Sequence, residues 1–424
     1  MRKLLFVVLT LFTTSSFAQQ PDGINFQKGL SWLQIKEKAK QENKYIFVDV
    51  YTTWCIPCKQ MEVNVFPQKE VGDFFNKNFI NFKVQIDRKQ NDSDEIKNAY
   101  SDAKLIEETY QISSYPTYLF LNPEGVLVHY LNGSSNSGKE FVTKASEALD
   151  PASQYVNLKN EFRNGRRDTA FLNLIISVSD KTMDWAERKI YVQSYLKSQE
   201  NLLTSKNIRF IAQSLSSSKD IGYNILMDHP EEVNKVIGKQ WRNDVINSIL
   251  FDEYILPVLR SGGKKITNHG GMMTYEGEIN KNINWNALKD SLQYKFKDRA
   301  DRLLIDAQTT YYSWTEDWGG LNKVLLEYTT HDHTDIDVIN NWLHYFAAFC
   351  NQDQYLSDVL KWASVLQANN NTPIGIKNYG LVLYKAGKQQ QAIDMLLRYQ
   401  TLLPKSDEST EVLIAKIKNG EKID

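Results

Sequence analysis

Residues 47–59 are the most informative part of this sequence and read Phe47-Val48-Asp49-Val50-Tyr51-Thr52-Thr53-Trp54-Cys55-Ile56-Pro57-Cys58-Lys59. The apolar, β-rich run over 45–51 predicts a central strand that is buried on both faces. Helical spacing over 58–66 predicts a helix directly after that strand. The two cysteines therefore lie where a buried strand passes into a helix.

This position suits thiol chemistry. The first backbone N–H groups of a helix are unpaired and its dipole is positive there, so the pKa of an exposed Cys55 thiol should be lowered. A Cys55 thiolate that attacks a substrate disulfide forms a mixed disulfide, which Cys58 then displaces. Pro57 stiffens the first helical turn, where its missing N–H costs little.

Two other interpretations of the cysteine pair stay open. A zinc site needs two further ligands, and the chain has neither another close cysteine pair nor a Cys-x-x-His motif. A purely structural disulfide is the second alternative. The chain has three cysteines, whereas an exported protein held together by disulfides usually has more, in even number. We therefore expect the pair to be chemical, with no bound metal.

Residues 47–59 resemble the active-site strand and helix of thioredoxins, and three further positions match that family. Asp49 stands six residues before Cys55, Lys83 follows in the next predicted strand, and Tyr115-Pro116-Thr117 matches the loop with a cis proline. The resemblance spans about residues 26–149. It implies an α/β thioredoxin fold and a thiol–disulfide exchange activity that needs no cofactor.

The resemblance also implies roles for these residues. Asp49 would be a buried acid that relays a proton for Cys58, with a pKa raised by desolvation, and Lys83 would lie beside it. A cis bond before Pro116 would orient the Tyr115 backbone toward a substrate strand.

The predicted substrate-facing residues are Trp54, Ile56, Pro57, Tyr115 and Pro116. Two of them depart from ordinary thioredoxins, because Ile56 replaces a glycine and Tyr115 is bulkier than usual. Both changes should shift the redox potential and the choice of partner.

The pattern over 26–149 alternates strands and helices, as expected for an α/β sandwich around a mixed sheet. Ser93 is a plausible helix N-cap, and the turn at 122–125 predicts an antiparallel hairpin. The predicted strands are 45–51, 80–86, 117–121 and 126–130, and the later helices are 93–110 and 138–149.

Beyond a predicted boundary at 150–153 the strand signal largely vanishes, which indicates an all-α region. We expect a helical domain over 154–336 and tetratricopeptide-like hairpins over 337–424. The second resemblance is weak. Small, apolar and breaker residues fit one repeat, and Trp342 precedes Ile376 by that repeat's period of 34 residues. The matching residues are Gly380, Gly387, Ala392, Leu396 and Pro404.

Three other segments have plainer interpretations. The glycine-rich stretch 261–277 is expected to be a long loop, since it lacks the spacing of a phosphate loop. His331-Asp332-His333 fits a solvated loop better than a metal site. Cys350 fits a buried, inert thiol better than a third redox partner.

The N-terminus predicts a signal peptide over 1–18. A basic start, an apolar run too short to span a bilayer and Ser16-Phe17-Ala18 before Gln19 fit that pattern, with a retained anchor as the alternative. We therefore expect an exported protein of the bacterial periplasm. A net charge of −1 gives no reason to expect nucleic-acid binding.

The leading hypothesis is an enzyme that exchanges disulfides with protein dithiol or disulfide substrates and is served by a membrane electron donor or acceptor. The alternative is a binding or scaffold protein whose helical region grips a partner, with the cysteine pair as a redox latch. A latch would not need the Asp49, Lys83 and Pro116 set. The direction of electron flow does not follow from the sequence.

Overall fold

The computed structural model describes residues 23–267, 273–330, 335–349, 353–365 and 372–421. The predicted signal peptide, the His331-Asp332-His333 motif and Cys350 lie outside these residues. The chain divides into two compact units. One extends to Gly238 and includes Ile266–Thr274, and the other takes Lys239–Lys265 and the chain from Tyr275 onward. The predicted domain boundaries stay predictions.

A four-stranded mixed sheet forms the centre of the first unit, with the strand order β2-β1-β3-β4. The strand β1 pairs with β2 in parallel and with β3 antiparallel, and β3 pairs with β4 antiparallel. The predicted α/β thioredoxin fold is confirmed. The strands are β1 (Tyr45–Tyr51), β2 (Phe79–Gln85), β3 (Thr117–Leu121) and β4 (Leu127–Asn132).

Six helices alternate with these strands along the chain, and most of them pack on the two faces of the sheet. They are α1 (Trp32–Glu42), α2 (Ile56–Gln60), α3 (Lys69–Asn78), α4 (Asp94–Asn98), α5 (Tyr100–Tyr110) and α6 (Gly138–Ser146). A π-helical turn, Met61–Val65, continues α2, and a 3₁₀ turn, Glu147–Leu149, continues α6.

The predicted helix over 93–110 is divided in two. Ser93 caps α4 as expected, because its side chain accepts a hydrogen bond from the Ile96 N–H. Ala99 then has φ −86° and ψ −3°, which lies between helical and bridge geometry. Its N–H is shared between the carbonyls of Glu95 and Ile96, so the α-helical ladder is interrupted there.

Both faces of β1 are buried, which explains its uninterrupted apolar sequence. Ile46, Val48 and Val50 pack into one core with α1 and α5. Phe47 packs into the other core with α3, α6 and the π-helical turn after α2, and its ring centroid lies 4.6 Å from that of Phe75.

The two edges of the sheet are also in contact with other segments. The outer strand β2 receives Phe26, which bridges to Asn81, and Gln27 donates to the Asn81 carbonyl at 2.8 Å. The opposite outer strand, β4, packs against the first helices of the helical region. There the Tyr155 N–H donates to His129 Nδ1 at 3.1 Å.

From residue 150 to Gly238 the first unit is helical. Its helices are α7 (Tyr155–Arg163), α8 (Thr169–Thr182), α9 (Trp185–Leu196), α10 (Ser205–Ser214), α11 (Tyr223–Asp228) and α12 (Pro230–Ile237).

The second unit is built from further helices, several of which pack on an apolar core around Trp362. They are α13 (Lys239–Leu250), α14 (Leu256–Leu259), α15 (Trp285–Lys295), α16 (Ala300–Trp314), α17 (Trp318–Tyr328), α18 (Ile336–Phe349), α19 (Leu356–Ala363), α20 (Pro373–Lys385), α21 (Gln389–Thr401) and α22 (Glu408–Lys418).

The prediction of a loop over 261–277 is wrong for the residues that the structure describes. Two strands, β5 (Arg260–Thr267) and β6 (Met273–Ile279), pair into a two-stranded sheet. The Arg260 guanidinium donates to the Gly277 carbonyl at 2.8 Å and supports the pairing. The glycines and polar residues hid the strand pattern, because most of this ribbon is exposed and needs no apolar alternation.

Two of the residues that suggested a repeat do lie at a helix–helix contact. A side chain at Gly380 in α20 would meet Leu396 of α21 at 3.2 Å, so the glycine permits the close packing of these helices. The resemblance to tetratricopeptide repeats stays a prediction. Over the described part of the chain, none of the helices has the length and apolarity required to traverse a bilayer.

Candidate redox site

Cys55 and Cys58 form a disulfide at the start of α2, with their Cα atoms 5.3 Å apart. Cys55 is the N-cap residue, and its sulfur accepts a hydrogen bond from the Cys58 N–H at 3.1 Å. Pro57 occupies the first turn of the helix. The strand–helix junction therefore presents the sulfur of Cys55 to the unpaired N–H groups of the helix start.

The expectation of an exposed Cys55 is wrong for this disulfide form. Only 3% of the residue is exposed, because the disulfide folds its side chain back onto the first turn of α2. Its neighbours Trp54 and Ile56 are 65% and 67% exposed. The site therefore has a protruding apolar rim around a recessed disulfide.

Asp49 is a buried carboxyl group in the middle of β1. Lys83 on β2 and Tyr118 on β3 are its register partners, and 3% of Asp49 is exposed. Burial raises the pKa of Asp49 to about 7, the positive charge of Lys83 opposes this rise, and the negative charge of Glu62 adds to it. A carboxyl group with such a pKa can both take up and release a proton near neutral pH.

The ammonium group of Lys83 is held between charged and aromatic groups. Its Nζ lies 2.7 Å from Glu62 Oε1 and 4.5 Å from the centre of the Tyr51 ring. Glu62 was not among the residues predicted from the sequence. One signal was available, since Glu62 stands four residues after Cys58 and neighbouring positions on one helix face have that spacing.

The Tyr115–Pro116 peptide bond is cis, as the family resemblance implied. The Tyr115 ring meets the Trp54 ring edge-on, with centroids 5.8 Å apart, and the Tyr115 hydroxyl donates to Glu107 Oε1 at 3.1 Å. The structure thus brings the predicted Tyr115–Pro116 loop against the segment that carries the disulfide.

Thr53 and Asp87 form a further contact that the sequence did not indicate. The Thr53 N–H donates to Asp87 Oδ1 at 2.8 Å, and the Thr53 hydroxyl donates to the other carboxylate oxygen. This contact ties the segment after β1 to the segment after β2. It therefore fixes the approach to Trp54 and Cys55.

Metal binding finds no support in the described residues, which contain no group of three or more His, Cys, Asp or Glu side chains placed to hold an ion. The chemistry that the site can perform is sulfur exchange combined with proton transfer. Both need only the cysteine pair and a group that titrates near neutral pH.

Comparison with known proteins gives the same fold. Residues 34–147 match the family model for the thioredoxin-like domain. This segment is a thioredoxin-like domain. Thioredoxin-1 of Drosophila melanogaster is 24% identical over 107 residues, which are 25% of this chain and 84% of that protein. The match to the family model ends at residue 147, so α7 and all later helices lie outside the matched segment.

Three solved structures are also similar over a limited part of the chain. DsbH oxidoreductase has 20% identity and a TM-score of 0.27, and covers 31% of this chain and 90% of its own. A candidate disulphide isomerase from Bacteroides thetaiotaomicron has 32% identity and a TM-score of 0.26, and the match covers 31% of this chain and 98% of that protein. The oxidised C-terminal domain of DsbD from Neisseria meningitidis has 18% identity and a TM-score of 0.23, and covers 27% and 90%.

Proposed function

We propose that this protein is a thiol–disulfide oxidoreductase that exchanges disulfides with protein substrates through Cys55 and Cys58. The observation that carries the proposal is the Cys55–Cys58 disulfide at the N-terminus of α2, in a thioredoxin-like domain that also buries Asp49. A disulfide that served only stability would not need a carboxyl group with a pKa of about 7 in the adjoining strand.

In the proposed exchange, Cys55 is the residue that a substrate attacks and Cys58 is the resolving residue, as the resemblance to thioredoxins implies. A substrate thiolate attacks the sulfur of Cys55, the Cys55–Cys58 bond breaks, and Cys58 leaves as a thiolate that takes up a proton. The second thiolate of the substrate then attacks the substrate sulfur of the mixed disulfide. This forms the substrate disulfide and releases Cys55 as a thiolate. Two electrons pass from the substrate dithiol to the cysteine pair, and the reverse sequence reduces a substrate disulfide.

In this mechanism Asp49 is the proton relay for Cys58, and the positive charge of Lys83 opposes the rise in the pKa of Asp49. The carboxyl group is half protonated near pH 7, so it can give a proton to the departing Cys58 thiolate and take one in the reverse direction. No cofactor is needed, because the cysteine pair itself carries the electrons.

The proposed substrate surface consists of Trp54, Ile56, Pro57, Tyr115 and Pro116. Trp54 and Ile56 are exposed, Pro57 and Tyr115 are half-buried, and Pro116 is buried. Exposed apolar side chains around a reactive group suit a protein substrate, which can cover them as it binds.

We further propose export to the bacterial periplasm, with the segment 1–18 as the signal peptide. An oxidising compartment keeps cysteine pairs oxidised, so a reductant there requires electrons from a membrane protein. An oxidant there would instead return its electrons to a membrane acceptor.

Trapping of mixed disulfides tests the proposal. Cys58→Ser removes the resolving thiol and should accumulate covalent complexes with protein substrates, whereas Cys55→Ser should accumulate none. Cys350→Ser is the matched control and should behave like the unmodified protein. If the wild-type pair cannot be cycled in defined thiol buffers, catalysis is excluded, and a binding or scaffold role of the helical region that does not depend on redox state becomes the better hypothesis.

A further inference from the structure

The C-terminal end of α8 is linked to the loop that carries Tyr115 and Pro116 through the end of β4, although α8 lies outside the segment that matches the thioredoxin-like family model. Asn132, the last residue of β4, donates from Nδ2 to the Thr182 carbonyl at 2.8 Å. Its Oδ1 accepts a hydrogen bond from the Thr117 hydroxyl at 2.7 Å. The same hydroxyl lies 2.7 Å from the Ser114 carbonyl. One amide side chain thus joins α8 to both flanks of the Tyr115–Pro116 loop.

A second contact runs through the next residue of the chain. The Gly133 N–H donates to the Pro116 carbonyl at 3.0 Å. Gly133 has φ +77°, and a Cβ at this position would stand 2.9 Å from the sulfur of Met183. Met183, the C-cap residue of α8, therefore packs directly on the backbone that holds Pro116.

The corner between α8 and α9, which we define as Thr182–Asp184, is itself firmly held. Asp184 is 1% exposed and accepts hydrogen bonds from the hydroxyls of Tyr130 at 2.7 Å and Tyr155 at 3.1 Å. Its Oδ2 also lies 3.2 Å from the Lys159 ammonium. Burial alone would raise the pKa of Asp184, but these partners hold it below its ordinary value, so the carboxylate stays charged and anchored.

The loop has less support where it faces the helices directly. A cavity of about 180 Å³ separates residues 110–114 from Lys159 and Asp184. Atoms that border a cavity lack packing contacts on that side. The position of the loop therefore depends more strongly on the contacts through Asn132 and Gly133.

We propose that the α8–α9 corner positions the Tyr115–Pro116 loop for protein substrates, with Asn132 as the positioning residue. The inference rests on the proposed oxidoreductase function and extends it beyond the thioredoxin-like domain. The helices after residue 150 would then support substrate binding at the redox site, as well as binding any separate partner.

The test compares a protein disulfide with a small one. Asn132→Leu keeps the approximate size of the side chain and removes both hydrogen-bonding groups. The assay measures kcat/KM of the full chain for the reduction of an insulin-type protein disulfide and for the reduction of hydroxyethyl disulfide. In Asn132→Leu we expect the ratio of the first value to the second to fall about tenfold, mainly through KM. Tenfold corresponds to the loss of one hydrogen bond. A small disulfide does not span the loop, so it reports on the cysteines alone.

Two further variants keep the test decisive. Met183→Ala, which removes packing on Gly133 without touching a hydrogen bond, should shift the ratio in the same direction. Asn173→Leu is the matched control, because its amide contacts Lys206 at 2.8 Å and lies about 14 Å along α8 from Thr182. It should leave the ratio unchanged.

The outcomes separate this inference from the function on which it rests. Wild-type protein that neither reduces these disulfides nor oxidises the corresponding thiols contradicts the proposed function. Active wild-type protein combined with an unchanged ratio in Asn132→Leu and Met183→Ala overturns the inference. An equal loss with both disulfides also overturns it, because that result indicates a general structural role.

Discussion

Asp49 and Lys83 lie opposite each other on the parallel strands β1 and β2, but the Lys83 ammonium forms its ion pair with Glu62 on the π-helical turn after α2. Glu62 therefore acts on Asp49 in two ways. It adds a negative charge near the buried carboxyl group, and it engages the cation that would otherwise lower the pKa of Asp49 more strongly. The acidity of the buried group is thus adjustable from an exposed position.

Replacement of Glu62 should make Asp49 more acidic. In Glu62→Gln the nearby negative charge is gone, so the pKa of Asp49 should fall below its value of about 7. A carboxyl-carbon NMR titration of the oxidised protein measures this shift. Glu108→Gln, which breaks an exposed ion pair with Lys104, is the control and should leave the pKa in place. A pKa that rises in Glu62→Gln would contradict the assigned arrangement of charges.

The buried Asp49 should make the domain less stable as the pH rises. Its pKa is raised from 3.8 unfolded to about 7 folded, so the folded state binds the proton more tightly. Between pH 4 and 7 this stabilisation is progressively lost, and above about pH 7 the full cost of a buried charge is present. Asp49→Asn should remove this pH dependence. Its free energy of unfolding minus that of the wild type should be up to about 4 kcal/mol larger at pH 9 than at pH 4.

Urea unfolding of the oxidised wild type and of Asp49→Asn at several pH values measures the effect. The difference in the free energy of unfolding between the two proteins should grow with pH. A difference that stays constant from pH 4 to pH 9 would show that Asp49 titrates normally.

The contact between Thr53 and Asp87 should stabilise the approach to the disulfide. Asp87→Ala leaves the Thr53 N–H and hydroxyl without their charged acceptor, which should cost about 1–3 kcal/mol in the free energy of unfolding. Asp73→Ala removes only an exposed ion pair with Lys69 and should change stability by less than about 0.5 kcal/mol. Equal losses in the two variants would contradict a special role for the Thr53 contact.

Gly133 should tolerate no side chain. Gly133→Ala must keep φ at +77° and also places a Cβ 2.9 Å from the Met183 sulfur, so we expect a loss of more than about 1 kcal/mol of stability. Gly165→Ala separates the two causes, because Gly165 has φ +97° and open space around it. Thermal unfolding of both variants should show the larger loss for Gly133→Ala. The reverse order would exclude a close contact with Met183.

The sequence was sufficient where the local pattern and the family resemblance coincide. β1 and β3 have the predicted bounds, and Pro116 has the predicted isomer. Glu62 could not be assigned, because its role depends on an ion pair with a strand that follows much later in the chain. The hairpin β5–β6 was missed because its exposed, glycine-containing strands carry no apolar alternation.

The contact between Asn132 and Thr182 shows a general limit on predicting tertiary contacts from a single sequence. The two residues are 50 positions apart, and one partner is a backbone carbonyl, which every residue type possesses. Such a contact leaves no pattern in the residue types of a single sequence. It becomes visible only when the end of α8 and the end of β4 are seen together.

The contacts along the outer strands of the sheet have a consequence for association. Exposed sheet edges offer unpaired backbone groups to which another polypeptide can add as an extra strand. Here β4 is packed against α7 and α8, and β2 pairs with the segment at Phe26 and Gln27. Both outer strands are thereby partly covered, which disfavours edge-to-edge association, and the proposed protein substrate would meet the loops at the ends of the strands instead.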